Sequence, residues 1–386
     1  MDDFKRLAAN ALASGDLSRA RELYERALAL ASDDDARGTL ASNLSHVCLR
    51  ARAVDDAKAF ATIAASAKPS WSKSHMRLAD CAFASGAYDD AERAYARARE
   101  LEREDAAKAS YARLERLANA ASHGGVYFRQ LIPGEDICVD AHAVKGDFVQ
   151  TQIFAAARSM KNFIYVVGDL RTREAFVVDG CWDVKGIAAR IAEDKMTLAG
   201  AIATHYHFDH TGGLAPIEPF RSMGVRVPGV KELVDDFGLK CHVHAADAAV
   251  IERDNKVSRD ALVVHDGESS EIVIGEVKLE FIHTPGHSPG SCLVVCRDEY
   301  AKDGRGWCIS GDTIFPGSCG RLDLKDSSRD AMFHSLSKCA RVLPDEMVIY
   351  PGHSYNGAST TVAREKAQGL LRPFTKPEWD AMHGVA

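Results

Sequence analysis

The sequence predicts an α+β protein with a helical first third, followed by a part in which short strands end in glycine-containing loops. The first third is rich in alanine, contains no proline before Pro69 and spaces its apolar residues with a helical period. Later apolar runs, such as 198–203 and 347–350, are short and bounded by turn residues, which is typical of buried strands. A chain of 386 residues exceeds the usual size of one domain. We therefore expect two domains, residues 1–121 and residues 122–386.

Alanine recurs at a regular interval in the helical part. Two series show spacings of 37 and 34 residues: Ala20, Ala57 and Ala91, and Ala27, Ala64 and Ala98. Gly15 and Gly86 follow the same spacing, whereas Arg52 stands at the corresponding position of the middle unit. The pattern resembles the tetratricopeptide repeat, a helix-turn-helix unit of about 34 residues. Residues 104–121 would then form a capping helix. The alternative is an ordinary helical bundle.

A repeat domain of this kind presents a concave surface to a peptide or another protein, so the resemblance implies a protein or peptide partner. Residues 1–121 contain 19 basic and 19 acidic side chains, and the net charge of −7 therefore arises from the rest of the chain. Basic residues form no evident cluster in the sequence. This argues against nucleic acid as a partner.

Histidine and aspartate are concentrated in residues 204–210, directly after a predicted strand. Imidazole and carboxylate groups are the ligands of zinc and non-haem iron. Alternate side chains share a face in extended backbone, so His205 and His207 can bind one ion. Asp209 and His210 lie beyond them and can reach a second ion. A single histidine would be interpreted as an ordinary surface residue, but this density favours a metal site.

Three further residues of the same kind follow predicted strands. His287 stands in His-Thr-Pro-Gly-His, Asp312 in Ser-Gly-Asp-Thr and His353 in Tyr-Pro-Gly-His. Each lies beside a glycine, which lets the backbone approach closely and adopt unusual dihedral angles. Four such loops at one edge of a sheet would build a metal site on rigid elements.

The order H-x-H-x-D-H, followed by His287, Asp312 and His353, resembles the metallo-β-lactamase superfamily from about Val126 to the C-terminus. The resemblance implies an αββα sandwich. It also implies three sets of metal ligands: His205, His207 and His287 for one ion, Asp209, His210 and His353 for the other, and Asp312 for both. Asp209 and Asp312 are the candidate catalytic residues.

Within this superfamily, the motifs around His287, Asp312 and His353 are similar to those of glyoxalase II and of persulfide dioxygenases. The likeness implies hydrolysis of a glutathione-type thioester, as in a hydroxyacylglutathione hydrolase, with two divalent ions that are zinc, iron or manganese. Secreted β-lactamases usually lack an aspartate at the position of Asp312, so antibiotic hydrolysis is not expected.

Two residues near the motifs are candidates for substrate binding. Arg321 could bind an anionic group of the substrate, although an ion pair with Asp323 is the simpler interpretation. Tyr355 could line the pocket. The segment between His210 and His287 comprises about 76 residues, more than is usual in glyoxalase II, and we expect it to shape the mouth of the site.

The ligand set is compatible with more than one activity. Two divalent ions about 3.5–4 Å apart can hold a bridging hydroxide near neutral pH, which would attack an acyl carbon. A single Fe(II) held by His205, His287 and Asp312 would instead support a persulfide dioxygenase. A third hypothesis is an interaction scaffold whose metal domain is only weakly active. Residues 286–290 also match the serine-nucleophile motif G-x-S-x-G, but that motif precedes a helix and a strand is predicted here.

Asp179 follows a strand and either orients a metal-binding histidine or occupies a plain turn. His242 and His244 alternate on a predicted strand and are interpreted as its solvent face. No apolar run reaches the roughly 18 residues of a membrane span, and the acidic start Met1-Asp2-Asp3 is unlike a signal or transit peptide. These features predict a cytoplasmic protein without a membrane partner.

Overall fold

A computed structural model describes residues 1–122, 125–139, 143–218, 220–297 and 305–382. Contacts divide the chain into two compact units, Met1–Gly124 and Gly125–Ala386. The division falls three residues after the boundary expected from the sequence. Residues 123 and 124, which belong to the expected junction, lie outside the described ranges.

The first unit consists of helices in its described residues 1–122. They are α1 (Asp2–Ala13), α2 (Leu17–Ala29), α3 (Asp34–Arg50), α4 (Val54–Ala67), α5 (Ser72–Ala84), α6 (Tyr88–Leu101) and α7 (Asp105–Ser122). Side chains of Asp16 and Asp33 accept hydrogen bonds from the backbone N–H groups of Arg19 and Ala36, which caps the starts of α2 and α3. Each helix packs against the next along the chain.

The repeated alanines occupy equivalent places in the even-numbered helices. Two lie in each of α2, α4 and α6, and all six are fully buried. The turns before these helices are also equivalent, because Gly15, Arg52 and Gly86 all adopt left-handed backbone conformations, with φ of 83°, 59° and 78°. Arg52 therefore takes the conformation that glycine takes in the other two turns. The tetratricopeptide character of these helices stays a prediction.

The second unit is built on two sheets of six strands. The strands are β1 (Val126–Leu131), β2 (Ile164–Asp169), β3 (Glu174–Val178), β4 (Thr197–Ile202), β5 (Gly213–Leu214), β6 (Arg226–Val227), β7 (Cys241–His244), β8 (Leu262–His265), β9 (Ser269–Ile274), β10 (Val277–His283), β11 (Cys292–Cys296), β12 (Trp307–Gly311), β13 (Val348–Pro351) and β14 (Thr360–Thr361). The first sheet has the order β1-β2-β3-β4-β7-β8, and the second has the order β14-β13-β12-β11-β10-β9. Strands β5 and β6 form a separate two-stranded pair.

Helices accompany the two sheets. They are α8 (Phe148–Met160), α9 (Val184–Glu193), α10 (Phe208–Thr211), α11 (Phe220–Met223), α12 (Val230–Asp235), α13 (Ala245–Asn255), α14 (Arg329–Val342), α15 (Val362–Gln368) and α16 (Lys376–Met382). A short 3-10 turn, Arg259–Ala261, precedes β8.

The main core lies between the two sheets. Tyr165, Val167 and Ile202 of the first sheet pack into one buried cluster with residues of the second sheet, including Phe281 and Ile309. A second buried cluster joins the other face of the second sheet to α14 and the C-terminal helices, with Trp379 fully buried. Helix, sheet, sheet and helix layers result, so the predicted α+β class and the αββα sandwich are confirmed.

Strand direction brings the ends of several strands to one edge of the sandwich. Strands β3, β4, β7 and β8 run parallel to one another, and β12 runs parallel to β13. Loops that follow β4, β12 and β13 therefore leave at the carboxyl ends of buried strands, where sites are commonly built in mixed sheets. Within the described ranges, no helix is long and apolar enough to cross a membrane.

We predict that Ala57→Leu in α4 destabilises the first unit by about 1–3 kcal/mol, because the added carbons have no room at a fully buried position. Ala59→Leu, two residues further along the same helix and exposed, is the matched control. The measurement is urea unfolding of the full chain, followed by the helical circular-dichroism signal. Equal midpoints for the two variants would show that the alanine series is not a packing constraint.

Candidate metal centre

Loops from both sheets carry the seven predicted ligands to one place. Residues 203–207 follow β4 and lead into α10, whose single turn carries Asp209 and His210. His287 lies in the loop between β10 and β11, Asp312 directly follows β12, and His353 follows β13. All are buried except His207, which is partly exposed. Local strand-to-loop transitions thus explain where each ligand lies along the chain.

The first group of ligands consists of three histidines. Nitrogen atoms of His205, His207 and His287 all lie within 4.8 Å of one another. His205 and His207 are on alternate positions of an extended segment, and His207 forms the N-terminal boundary of α10. Three imidazoles in this arrangement match the ligand set of a zinc-type ion with an open position.

The second group consists of one carboxylate and two histidines. Ligand atoms of Asp209, His210 and His353 lie within 4.8 Å of one another. The Nε2 atoms of His210 and His353 are 3.2 Å apart, and Asp209 Oδ2 is 3.4 Å from His353 Nε2. Asp209 and His210 are neighbours on the single turn of α10, and His353 comes from the other sheet.

Asp312 lies between the two groups. Its Oδ2 is 3.3 Å from His287 Nε2 in the first group, and its Oδ1 is 3.5 Å from His210 Nε2 in the second. Burial opposes ionisation of Asp312, but nearby His353, His210 and His287 hold the pKa of its carboxyl well below the usual value. The Asp312 carboxylate therefore lies within 3.5 Å of a histidine nitrogen of each group.

Hydrogen bonds at the far ring nitrogens fix the orientation of four histidines. His287 Nδ1 donates to the Arg321 carbonyl at 2.9 Å, and His353 Nδ1 donates to the Met160 carbonyl at 2.8 Å. His210 Nδ1 donates to Asp179 at 2.8 Å. Thr204 Oγ1 already donates to Asp179, so it accepts from His205 Nδ1 at 3.1 Å. Each Nε2 consequently faces the centre as a potential ligand atom.

The centre fits divalent cations on its own chemistry. Nε2 of His205, Nε2 of His287 and Oδ1 of Asp312 are buried and make no hydrogen bond to any part of the chain that the structure describes. Burial alone would lower the pKa of His210, yet Asp209, Asp312 and Asp179 raise it to about 10. Buried acceptor atoms without a donor cost free energy. Here such atoms lie close together at a place where the surrounding carboxylates favour positive charge, so a divalent cation would satisfy them.

Close approach of backbone to the ligands depends on glycine at two positions. A Cβ on Gly352 would lie 2.4 Å from Asp312 Oδ1, and a Cβ on Gly320 would lie 2.7 Å from His287 Nδ1. No side chain fits at such distances, so these glycines let the loops pack directly on the ligands.

Asp179 has the orienting role that the sequence left open. Its carboxylate accepts hydrogen bonds from Thr204 N, Thr204 Oγ1 and His210 Nδ1, each at 2.7–2.8 Å. Its backbone has a φ of 56°, a conformation that non-glycine residues seldom adopt. The carboxylate connects the loop after β4 to α10.

Two further residues at the centre are absent from the sequence-based prediction. Asn162 is buried, and its Nδ2 donates to Asp209 Oδ2 at 3.1 Å. Its backbone forms an isolated bridge with His353, which follows β13 of the second sheet. Neither contact can be predicted from neighbouring residues in the sequence, because Asn162 lies 47 residues from Asp209 and 191 residues from His353.

The second of these residues, Asp247, links two ligand loops. Its carboxylate accepts hydrogen bonds from Tyr206 N at 3.0 Å, Ser288 Oγ at 2.8 Å and Gly290 N at 2.7 Å. Tyr206 separates His205 from His207, and Ser288 follows His287. Burial raises the pKa of Asp247 to about 6, although the three hydrogen bonds oppose this shift.

The serine of the G-x-S-x-G match is not placed as a nucleophile. Ser288 is fully buried, its Oγ donates to Asp247, and the loop leads into strand β11 rather than a helix. A serine nucleophile must be exposed on a turn before a helix. The match is therefore a coincidence of letters, as expected.

A cavity of about 790 Å³ opens onto the ligands and contains both predicted substrate-binding residues. The Tyr355 ring stacks on His353 with centroids 4.7 Å apart and is half exposed. Arg321 also lines the cavity, but its guanidinium makes two hydrogen bonds to Asp323, at 2.9 and 2.8 Å. The segment after His210 contributes Leu214, Pro216, Ile217 and Asp254 to the cavity wall.

The interpretation of two other histidines as a solvent face is wrong. His242 is partly buried and lies 2.9 Å from His265 between ring nitrogens. His244 is buried and stacks on His283 with centroids 3.7 Å apart. His265 lies on the neighbouring strand β8 and His283 on β10 of the second sheet, and strand alternation in the sequence does not reveal either neighbour.

We predict that Asp247→Asn lowers zinc affinity by about 10- to 100-fold, the usual cost of losing an outer partner of metal ligands. The asparagine side chain has one acceptor oxygen, so its N–H groups would face at least one of the donors that now bond to Asp247. The loops carrying His205, His207 and His287 then lose their common anchor. Chelator competition on the full chain measures the affinity. Asp260→Asn, an exposed carboxylate, is the control. Wild-type affinity in a folded Asp247→Asn protein would contradict the anchoring role.

Comparison with known proteins agrees with the ligand pattern. Residues 160–353, half of the chain, match the metallo-beta-lactamase superfamily. The chain is 24% identical over 204 residues to the probable polyketide biosynthesis zinc-dependent hydrolase BaeB of Bacillus velezensis, covering 53% of this chain and 78% of that protein. It is 28% identical over 206 residues to the human mitochondrial persulfide dioxygenase ETHE1, covering 53% and 68%. The crystal structure of ETHE1 from Myxococcus xanthus aligns with a TM-score of 0.48 and 21% identity over 67% of this chain and 90% of that chain. This chain belongs to the metallo-β-lactamase superfamily.

Proposed function

We propose that the protein is a metal-dependent hydrolase that cleaves a thioester of a small thiol, with a glutathione-type thioester as the first candidate. The observation that carries this proposal is the complete ligand set in two groups with Asp312 between them. A site for two ions fits hydrolysis better than a reaction that needs one ion. Similarity to zinc-dependent hydrolases supports the same class.

The residues for the two ions are proposed as follows: His205, His207 and His287 for one, Asp209, His210 and His353 for the other, and Asp312 for both. When divalent ions are bound there, they supply Lewis-acid chemistry and activation of water near neutral pH. Zinc fits the three-histidine group, and iron or manganese fits the group that contains Asp209.

The protein's own groups would handle substrate and proton. Asn162 holds Asp209 Oδ2, which leaves Oδ1 of the same carboxylate to accept a proton from the attacking water. The Tyr355 ring covers the cavity side of His353 and keeps that imidazole in place. A thiolate leaves without strong acid assistance, so a thioester needs no further proton donor. Ser288 is buried and does not line the cavity, so it has no part in this reaction.

A second candidate is a mononuclear iron persulfide dioxygenase. The observation in its favour is the 28% identity to the human persulfide dioxygenase. His205, His287 and Asp312 would form the set of two histidines and one carboxylate that non-haem iron enzymes use. Under this proposal, the second group of ligands would bind no ion.

The first unit is proposed as a tetratricopeptide-type domain, residues 1–121, that binds a protein or peptide, and a cytoplasmic location is proposed with it. Support comes from the six buried alanines in equivalent helices and from the shared turn conformation of Gly15, Arg52 and Gly86. Such a domain would bring the catalytic unit to a partner. This proposal is independent of the metal chemistry.

Metal content and substrate turnover separate the two enzymatic candidates. For the hydrolase, we expect about two divalent ions per chain after native purification, with S-lactoylglutathione cleaved to lactate and glutathione. One iron per chain, with oxygen uptake on glutathione persulfide and no thioester cleavage, would instead establish the dioxygenase. Elemental analysis and an oxygen electrode provide the two readouts.

We also predict that Asp312→Ala abolishes metal retention at both groups and lowers turnover by more than the 10- to 100-fold typical of an outer-shell loss. The reason is that one carboxylate is removed from both groups at once. Asp260→Ala serves as the control, and circular dichroism verifies folding. Two retained ions in Asp312→Ala would reject its placement between the ions.

A further inference from the structure

The cavity above the ligands has a largely apolar wall. Its apolar lining residues come from several loops: Met160, Phe208, Leu214, Pro216, Ile217, Phe315 and Leu324. The volume of about 790 Å³ lies within the range of roughly 300–1,000 Å³ typical of sites that enclose a whole small-molecule ligand. A two- or three-carbon acyl group would leave most of this wall uncovered.

Two side chains of the wall are exposed although they are large and apolar. Leu214 is 52% exposed and Ile217 is 37% exposed. Both lie on the segment that directly follows His210, so they are continuous with the ligand groups. Apolar residues beside a reactive centre are the usual means of binding an apolar part of a ligand.

Leu214 is held by rigid backbone. It belongs to β5, where it pairs with Arg226 of β6, and Arg226 Nη2 donates to the carbonyl of Asp254 at 2.8 Å. A Cβ on Gly212, whose φ is +78°, would lie 2.7 Å from the Val227 carbonyl oxygen. The strand pair therefore packs backbone against backbone. The position of Leu214 at the cavity is therefore set by its backbone, and its side chain is not needed to hold it there.

Most charged side chains that the wall contributes away from the ligand groups are already paired within the chain. The guanidinium of Arg321 makes hydrogen bonds to Asp323, and the carboxylate of Asp254, another residue of the wall, accepts hydrogen bonds from Arg253. Among the described cavity residues, Lys325 is the cation without an ion-pair partner. With one unpaired lysine, the apolar residues are the larger part of the wall that is available for recognition.

We infer that the site accepts a thioester that carries an apolar chain of about four to eight carbons, and that this chain lies against Leu214 and Ile217. The inference rests on the proposed thioester hydrolysis. In that reaction, water supplies the oxygen of a new C–O bond, the C–S bond breaks, and a carboxylic acid and a thiol are released. The chain belongs either to the acyl group or to the thiol.

Two substrate series distinguish these sources. Acetyl-, butanoyl- and hexanoyl-glutathione vary the acyl group, and S-acetyl derivatives of ethanethiol, butanethiol and hexanethiol vary the thiol. We expect kcat/KM to rise by roughly fourfold per buried methylene in one of the series. A rise in the first series assigns the chain to the acyl group, and a rise in the second assigns it to the thiol. Constant kcat/KM in both series would overturn the inference while leaving thioester hydrolysis intact.

Variants test the position of the chain. Leu214→Asn and Ile217→Asn should each lower the ratio of long-chain to acetyl kcat/KM by at least about fivefold, because the chain loses apolar contact. Val273→Asn is the matched control, since Val273 is 50% exposed on β9 and does not line the cavity. Equal ratios in wild type and in both cavity variants would refute the assignment to these residues.

A binding measurement separates failure of the inference from failure of the proposed function. Isothermal titration of the metal-loaded full chain with acetate, hexanoate and hexanethiol requires no turnover. If no thioester is cleaved, the proposed hydrolysis fails. The apolar site still stands if a six-carbon ligand binds at least about tenfold more tightly than acetate, and if Leu214→Asn removes that preference. Equal affinities would overturn the apolar site itself.

Discussion

A buried cluster of imidazoles and carboxylates is the constraint on which the rest of the catalytic unit depends. Seven titratable side chains meet at the edge where strands of both sheets end, and burial of such groups is expensive without compensating charge and hydrogen bonds. Compensation comes in two layers. Carboxylates and imidazoles face one another at 3.3–3.6 Å inside the cluster, and the outer ring nitrogens bond to backbone carbonyls and to Asp179.

Two buried carboxylates outside the ligand set connect the loops that carry it. Asp179 joins Thr204 to His210, and Asp247 joins Tyr206 to the loop of His287. Each carboxylate accepts three hydrogen bonds, so each restricts the conformations of the loops that it connects. Ligand geometry is therefore held by the sandwich as a whole, because the anchors lie on different strands and helices from most of the ligands.

The same rigidity extends from the metal centre into the cavity. The helical turn of α10 carries Asp209 and His210, and the chain then passes through Gly212 into the strand pair that presents Leu214. Glycine is needed at this transition because the two backbone segments nearly touch. Reactive groups and the apolar wall are thus parts of one continuous segment. A substrate bound to that wall would be held at a defined distance from the ligands.

The sequence by itself determined the α+β class, the superfamily and the residues that meet at the centre, because each ligand follows a buried strand beside glycine or within one short motif. This information lies in short stretches of sequence, so it can be recognised without a structure. Only the tertiary structure revealed Asn162 and Asp247, whose partners are 41 to 191 residues away. It also showed that His244 is buried against His283. Long-range packing decides these features, and neither strand alternation nor a motif encodes which distant elements will cover a given side chain.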